Sequence, residues 1–330
     1  MDKIDFVVTW VDDSDQVWQE KRNEYQPKLQ ADKATSGDKA YRDWGTFKYW
    51  FRGVEKFAPW VNKVYLVTDN QVPKWLNTNH EKLVVVDHKE IIDEQYLPVF
   101  NSNAIEMNLH KIKGLSENFV YFNDDMYITA PVEKKDFFRE DLPVDMAVLS
   151  PIVPECYGTA NYQVNDMEII NKYFSKKEIV KNGRMLSLKY GKNIIRTLLQ
   201  LPGKHVCGYF EPHLPQKFKK STFETLWQKE PELFRETVAS RFREKNNLNL
   251  WLFRYWQLAS GQFIPENTDK LGKLYSLDGN NDDIFQALRA GKDKIMCIND
   301  GFEVVDLDRQ MSNLQESFKY RFPSKSAFEK

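Results

Sequence analysis

The chain has 330 residues, of which 42% are hydrophobic and 29% charged, so it can bury a sizeable core and is not a disordered or low-complexity chain. A net charge of −1 provides no global basic field, which argues against nucleic acid as a partner. No run approaches the roughly 20 apolar residues of a membrane helix, so any membrane contact is expected to be peripheral. Three widely separated cysteines, Cys156, Cys207 and Cys297, fit no zinc spacing and suit a reducing cytoplasm.

Ile4 to Val11 predicts a first strand, entered almost at once, so no signal peptide is expected. Asp12-Asp13-Ser14-Asp15 follows, and residues 16–40, polar and highly charged, predict a short helix and a loop. Phe47, Trp50, Phe51, Val54 and Phe57 recur at three and four residues, the stripe of an amphipathic helix that Pro59 ends. Lys63 to Thr68 and Leu83 to Val86 predict a second and a third strand, ending at Asp69 and Asp87. Ile105, Leu109 and Ile112 share one helical face, with Gly114 as the cap. Phe119-Val120-Tyr121-Phe122 is the central strand and runs into Asn123, Asp124 and Asp125.

Four predicted strands thus end in aspartate, with helices between the first and second and between the third and fourth, which predicts a largely parallel sheet. Parallel strands place their C-terminal ends, where open α/β folds bind ligands, on one edge. Asp69 and Asp87 are the candidates for plain turn residues. Asp124 and Asp125 repel each other and call for a cation; oxygen ligands of this kind suit Mg²⁺ or Mn²⁺, which often bridge to substrate phosphates. The alternative is an acidic turn after a strand.

Beyond Pro131 the pattern loosens. Lys176-Lys177 and Lys189 to Lys192 read as solvated faces, and Glu211-Pro212-His213-Leu214-Pro215 as a rigid segment around a histidine. Residues 222–260 read as helical and include Ser240-Arg241-Phe242-Arg243. Asn281-Asp282-Asp283 reads as a helix cap, and Lys294 to Ile298 as a last strand ending in Asn299-Asp300-Gly301. The polar tail after Arg309 predicts a peripheral helix. Absence of a Gly-rich dinucleotide loop, a P-loop, His-Glu-x-x-His and Gly-x-Ser-x-Gly weighs against oxidoreductase, kinase, zinc-protease and serine-hydrolase functions.

Four blocks together resemble one family. The first is Ile4-Asp5-Phe6-Val7-Val8-Thr9-Trp10-Val11-Asp12, with Asp15 and Trp18. The second runs from Tyr41-Arg42-Asp43 through Glu55 to Trp60, Val67 to Leu76, Val86-Asp87-His88 and Phe100 to Glu106, and ends at Phe122-Asn123-Asp124-Asp125-Met126. The third is His213-Leu214-Pro215 with Ser240-Arg241-Phe242-Arg243, and the fourth is Cys297-Ile298-Asn299-Asp300. They resemble the Stealth family of sugar-phosphate transferases, which includes bacterial capsule and cell-surface polysaccharide phosphotransferases and the catalytic part of the GlcNAc-1-phosphotransferase of lysosomal enzymes.

The resemblance implies one α/β catalytic domain, Rossmann-like or GT-A-like, with a mostly parallel sheet, flanking helices and a more helical C-terminal half. Residues 1–132 would form the α/β core and 133–200 a variable insertion; 201–330 would be a helical part that returns a last strand to the active site. The implied reaction transfers hexose-1-phosphate, or an N-acetylhexosamine-1-phosphate, from a UDP-sugar to a sugar hydroxyl with release of UMP. The acceptor would be a capsular or cell-surface glycan, free or lipid-linked, reached from the cytoplasm or the inner face of the membrane.

By the same resemblance Asp124 and Asp125 would hold Mg²⁺ or Mn²⁺, with Asn299 or Asp300 completing the sphere. Asp124 and His213 would be catalytic, the histidine as a base toward the acceptor hydroxyl; its alternative is a packing or capping role. Arg243 would neutralise the transferred phosphoryl group, with Arg241 as its rival and a surface ion pair as the bland reading. Thr9, Trp10 and Asp12 would border the nucleotide, Arg42 would reach donor phosphate, and Asn101, Ser102 and Glu106 would hold donor oxygens from a helix start. Trp10 as plain core and Asn101 as a plain N-cap are the alternatives. One departure from the family pattern lies after Arg243, where an acid is common: Glu244, Lys245, Asn246 and Asn247 follow, and any carboxylate role falls to Glu244. The competing functions are a glycosyltransferase that attacks the anomeric carbon and releases UDP, and a non-catalytic glycan-binding protein.

Overall fold

The computed structural model describes residues 3–26, 44–154, 158–182, 184–300 and 306–330. Strand β1 (Ile4–Thr9) sets the two faces of the central sheet: Ile4, Phe6 and Val8 enter one apolar layer and Val7 the other. A strand buried on both sides needs cover on both sides, which crossover segments supply. After β1 comes α1 (Gln16–Tyr25), capped by the Asp15 carboxylate on the N–H groups of Val17 and Trp18. Helix α2 (Phe47–Phe57) then lays its predicted stripe, Phe47, Trp50, Phe51, Val54 and Phe57, on the even-numbered face. Strands β2 (Val64–Thr68) and β3 (Leu83–Asp87) pair in parallel. The chain returns over the odd face through α3 (His88–Ile91) and α4 (Ser102–Glu106) to β4 (Asn118–Phe122). The order β3-β2-β1-β4, all parallel, is the Rossmann-like, GT-A-like α/β arrangement that the alternation predicts.

Ile105, Leu109 and Ile112 are buried together, but not on one helix. Helix α4 stops at Glu106, and a 3₁₀ turn spans Leu109–Lys111. Asn108 Nδ2 donates to the Ala104 carbonyl at 2.8 Å and takes the acceptor that a continuous helix would give to the Asn108 N–H.

Strand β5 (Met126–Ile128) leaves the β4 turn, followed by α5 (Lys134–Phe137), β6 (Phe138–Arg139) and β7 (Leu142–Asp145). Gly53 of α2 admits β5: a Cβ there would lie 2.4 Å from the Ile128 carbonyl oxygen. Helices α6 (Ala160–Tyr173), α7 (Lys176–Lys181) and α8 (Ile194–Gln200) come next. Strand β8 (Gln216–Lys219) then adds to β4 in the antiparallel sense, a fifth strand that its lysines hide from a sequence reading. The predicted helical stretch is three helices, α9 (Lys220–Lys229), α10 (Pro231–Ala239) and α11 (Trp251–Ser260). After β9 (Ile264–Pro265), β10 (Gly272–Leu277) and α12 (Asp282–Ala290), the last strand β11 (Ile295–Asp300) lies between β10 and β5 in a second sheet.

The C-terminal helix α13 (Leu307–Arg321) exists but is not peripheral. Leu314, Phe318 and Phe322 recur at four residues and are buried, with the Phe318 ring stacked on Tyr49 of α2 at 5.1 Å. Arg52 of α2 grips Glu329 through two hydrogen bonds of 2.7 Å.

The C-terminal half is fastened to the sheet by a buried charge cluster. Arg254 of α11 makes a two-pronged contact with Asp145 at the end of β7, at 2.8 and 2.9 Å, and donates to Glu211 at 3.1 Å. Burial alone would raise the Asp145 carboxyl, but Arg254 and then Lys217 outweigh it and hold it low. Burial pulls Lys217 down, against the favourable pull of Asp145. Removing the central cation leaves two buried acids facing a single lysine. Arg254→Met is expected to cost about 3–5 kcal/mol, the range for breaking a buried pair from one side. Urea unfolding measures it, and a loss below about 1 kcal/mol would show that the cluster is not a support of the fold.

Candidate active site at the switch point of the sheet

Strands β1 and β4 are neighbours, yet α2 leaves β1 over one face while α4 reaches β4 over the other. Such a switch point opens a crevice beyond the strand ends. Thr9 ends β1 there, and Asn123, Asp124 and Asp125 follow β4, each half-buried.

On the odd face, the Thr9 and Tyr121 hydroxyls are 2.9 Å apart and the Tyr121 hydroxyl donates to Glu106 at 3.1 Å. This makes a hydrogen-bonded line from the rim into the protein. Burial pushes the Glu106 carboxyl up to about 7, although the Arg243 charge and then hydrogen bonds from Tyr121 and Ser102 oppose it. Arg243 reaches the same group, its Nη2 donating to Ser102 Oγ at 2.7 Å. Arg241, the rival for its role, points elsewhere: its Nη2 donates to the Leu97 carbonyl at 3.3 Å and its guanidinium covers the Tyr25 ring.

Asn101 takes its alternative role. It is fully buried, its Oδ1 caps α4 on the Asn103 N–H, and its Nδ2 donates to Ser240 O, Phe242 O and Asn247 Oδ1. It therefore ties α4 to the segment that carries Arg243 instead of presenting its amide to the crevice. Trp10 is core as well, 8% exposed and stacked on Phe47 at 5.6 Å, because it is even-numbered and falls on the α2 side. Asp12 stays at the rim, where its carboxylate accepts from the Ser14 N–H and hydroxyl at 3.0 and 2.6 Å, and Gln71 brackets its backbone. Arg42 lies outside the described residues. Asp87 caps α3 and Asp69 pairs with Lys21, so both are structural at these strand ends. Glu244 is exposed, and its backbone N–H and carbonyl are both engaged by Asn247.

Across the crevice, Asp125, His213 and Cys297 converge from the β4–β5 turn, the loop before β8, and β11. One potential ligand atom from each lies within 4.8 Å of the other two. The Cys297 thiol donates to Asp125 Oδ2 at 3.5 Å, and burial followed by that carboxylate pushes it well above its usual range. Burial foremost raises Tyr121 and Cys297, and the Asp124 charge adds to both. His213 adopts φ 51°, in the left-handed region that side chains avoid, and its N–H rests on Glu211 Oε1 at 3.2 Å. The loop is thereby anchored to the Arg254 cluster.

Asn299 and Asp300 close β11 opposite Ser276 and Leu277, with Asn299 exposed. The residue of this strand that meets Asp125 is instead Cys297, paired with Met126. Period-2 alternation puts it on the same face as Asn299, a signal available in the sequence. Tyr121 gives no such signal: in an apolar strand its hydroxyl is inconspicuous until the Glu106 side chain arrives from α4.

An α/β crevice holding a carboxylate pair, an imidazole and a guanidinium at the sheet's switch point belongs to a group-transferring enzyme. Residues 2–34 match the family pattern described as Stealth protein CR1, conserved region 1, and residues 40–145 match Stealth protein CR2, conserved region 2. The chain is 55% identical, over the whole of both chains, to the capsular polysaccharide phosphotransferase WcwK of Streptococcus pneumoniae and equally to the receptor polysaccharide phosphotransferase WefC of Streptococcus oralis. It is 42% identical to the exopolysaccharide phosphotransferase cps2G of Lactiplantibacillus plantarum, covering 99% of this chain and 96% of that one. The chain belongs to the Stealth family and is a transferase. No helix among the described residues is long and apolar enough to cross a membrane.

The raised Glu106 carboxyl has a consequence for stability. Unfolded, this acid titrates near 4.5; folded, near 7, so between these values the folded state holds the extra proton. Stability from this group is full below the lower value and falls as pH rises through the window, by on the order of 3 kcal/mol. Urea midpoints in chelator at about pH 5 and about pH 8 test this: the wild type is expected to lose more than Glu106→Gln. Equal losses would mean that Glu106 is already ionised in the folded state.

Proposed function

We propose that this enzyme transfers hexose-1-phosphate, or an N-acetylhexosamine-1-phosphate, from a UDP-sugar to a sugar hydroxyl of a capsular or cell-surface polysaccharide. UMP leaves and a phosphodiester forms. The carrying observation is that ligand atoms of Asp125, His213 and Cys297, distant in sequence, lie within 4.8 Å of one another beyond β4, while Arg243, Ser102 and Glu106 gather with Tyr121 of the same strand. Full-length similarity to phosphotransferases of surface glycans supports attack at phosphorus over attack at the anomeric carbon.

In this reading the planar fork of Arg243, steadied by Ser102, takes the oxygens of the phosphoryl group in flight. His213 accepts the proton of the acceptor hydroxyl. Thr9, Ser102 and the buried Glu106 border the donor, where a carboxyl that is partly protonated near neutrality both donates and accepts hydrogen bonds to sugar oxygens. The half-buried carboxylates of Asp124 and Asp125, with the His213 imidazole and the Cys297 thiol converging on Asp125, would fit a divalent cation, and Mn²⁺ accepts such a mixed set more readily than Mg²⁺. When bound, the cation supplies charge neutralisation for the diphosphate. The acceptor is a glycan, free or lipid-linked, and the site of action is the cytoplasm or the inner membrane face.

The same convergence gives His213 a second reading, as a ligand rather than a base. His213→Asn separates the two, since asparagine tolerates positive φ. A base role predicts turnover falling about 100-fold or more with Mn²⁺ affinity unchanged by electron paramagnetic resonance. A ligand role predicts that affinity falls as well. The reaction itself is tested by resolving nucleotides released from a panel of UDP-sugars with extracted surface glycan. Acceptor-dependent UMP, abolished in Asp124→Asn, is expected; acceptor-dependent UDP would replace this reading with glycosyl transfer.

A further inference from the structure

Helix α8 and the turn before it expose apolar side chains that the transfer chemistry does not use. Leu188 is 89% exposed, Ile195 56%, Leu198 49% and Leu199 74%. They are not loosely attached. On its inner side α8 is held by Thr197, whose hydroxyl oxygen accepts from the Leu149 N–H at 3.0 Å, while Lys176 donates to the Gly203 carbonyl at 2.9 Å just beyond the helix. Isolated exposed leucines need no explanation, but several within one short ordered segment mark a contact surface.

Charge identifies the occupant. Residues 184–210 contain Arg184, Lys189, Lys192, Arg196 and Lys204 and no aspartate or glutamate, in a chain whose overall charge is −1. Lys189, Lys192, Arg196 and Lys204 are exposed beside the apolar group. Of the acids beside this stretch, Glu266 is paired with Arg139 at 3.1 Å and Asp269 accepts from the Asn193 amide at 2.7 Å. Lys189 and Lys192 are solvated, as the sequence leads one to expect, and they share their face with these apolar side chains. Outward apolar side chains bordered by lysine and arginine are the pattern of a segment lying in the headgroup region of a bilayer, apolar face down, with the cations on anionic headgroups.

We infer that the surface formed by Leu188, Ile195, Leu198 and Leu199 with Lys189, Lys192 and Arg196 docks this enzyme reversibly on an anionic lipid bilayer. Three residues after Phe210, at the end of this basic stretch, the chain presents His213. The same polypeptide segment thus links the docking surface to the crevice.

Vesicle flotation of the full chain, without donor or acceptor, tests the docking apart from the transfer chemistry, so either reading can fail alone. The wild type is expected to float with vesicles of phosphatidylcholine containing phosphatidylglycerol, to bind pure phosphatidylcholine at least about tenfold more weakly, and to be released by high salt. Each basic residue near an anionic surface contributes about fivefold, so Lys189→Gln with Lys192→Gln and Arg196→Gln is expected to lose on the order of a hundredfold. Leu198→Asp with Leu199→Asp, with unchanged circular dichroism, is expected to abolish flotation. A wild type that stays with the unbound fraction overturns the inference, as do variants that float equally well. A dimer in sedimentation velocity that the leucine variant dissolves, without flotation of the wild type, would assign the surface to a second copy of the chain instead.

Discussion

The Arg254 guanidinium is the point on which the C-terminal half depends. A cation 2% exposed is tolerable only if its charge is answered locally, and Asp145 and Glu211 answer it from two separate segments. Lys217 makes the cluster two acids against two bases, so the interior holds four charges with no net excess. The geometry this imposes reaches the crevice. Glu211 is shared between Arg254 and the His213 backbone, so the same ion group that joins α11 to β7 also sets the height of the histidine over Asp125. A less specific apolar contact could supply comparable stability, but it would not fix a loop to within a hydrogen bond.

The second constraint is parity. A strand buried on both faces sends alternate residues to opposite layers, and here the layers have different tasks. The even side of β1 and β4 meets the aromatic stripe of α2, and everything that falls on it, Trp10 included, becomes core. The odd side carries Thr9 and Tyr121 toward α4, whose polar residues Ser102 and Glu106 are held in place by the Asn101 amide. The division explains why two adjacent residues, Thr9 and Trp10, differ so completely in surroundings.

How much of this could be read in the chain follows from the range of each interaction. The β1–β4 core and the α2 stripe were legible because their signals are local: short apolar runs ending in aspartate, and a repeat of three and four. The acids after β4 were legible for the same reason. What stayed hidden depends on long-range pairing. Strand β8 looks like a charged loop until β4 supplies its partner, and its buried Lys217 is answered by Asp145 and Glu211. Cys297 enters the site through the β11–β5 register, which puts it opposite Met126 and ahead of the more conspicuous Asn299 and Asp300. At the break after α4, where the hydrophobic stripe continues unchanged, the Asn108 side chain makes a hydrogen bond that competes with the helix.

Three unfavourable features lie at or close behind the crevice. His213 holds a positive φ; Glu106 is buried with its ionisation suppressed; and Asp166 is a buried acid pushed far above its normal range, with Oδ2 unpartnered among the described residues. Each opposes folding, by amounts of order 1–3 kcal/mol. Asp166 Oδ1 accepts from the Asn249 N–H, and Asn249 in turn donates to Asn103 on α4, so the strained group lies one residue behind the donor wall. A chain free to relax would ionise and solvate these acids and move the histidine to an ordinary backbone conformation. That they persist together means the two apolar layers and the Arg254 cluster over-determine their positions. The C-terminal half is therefore part of the site: through Arg254 and Glu211 it holds the loop that carries His213.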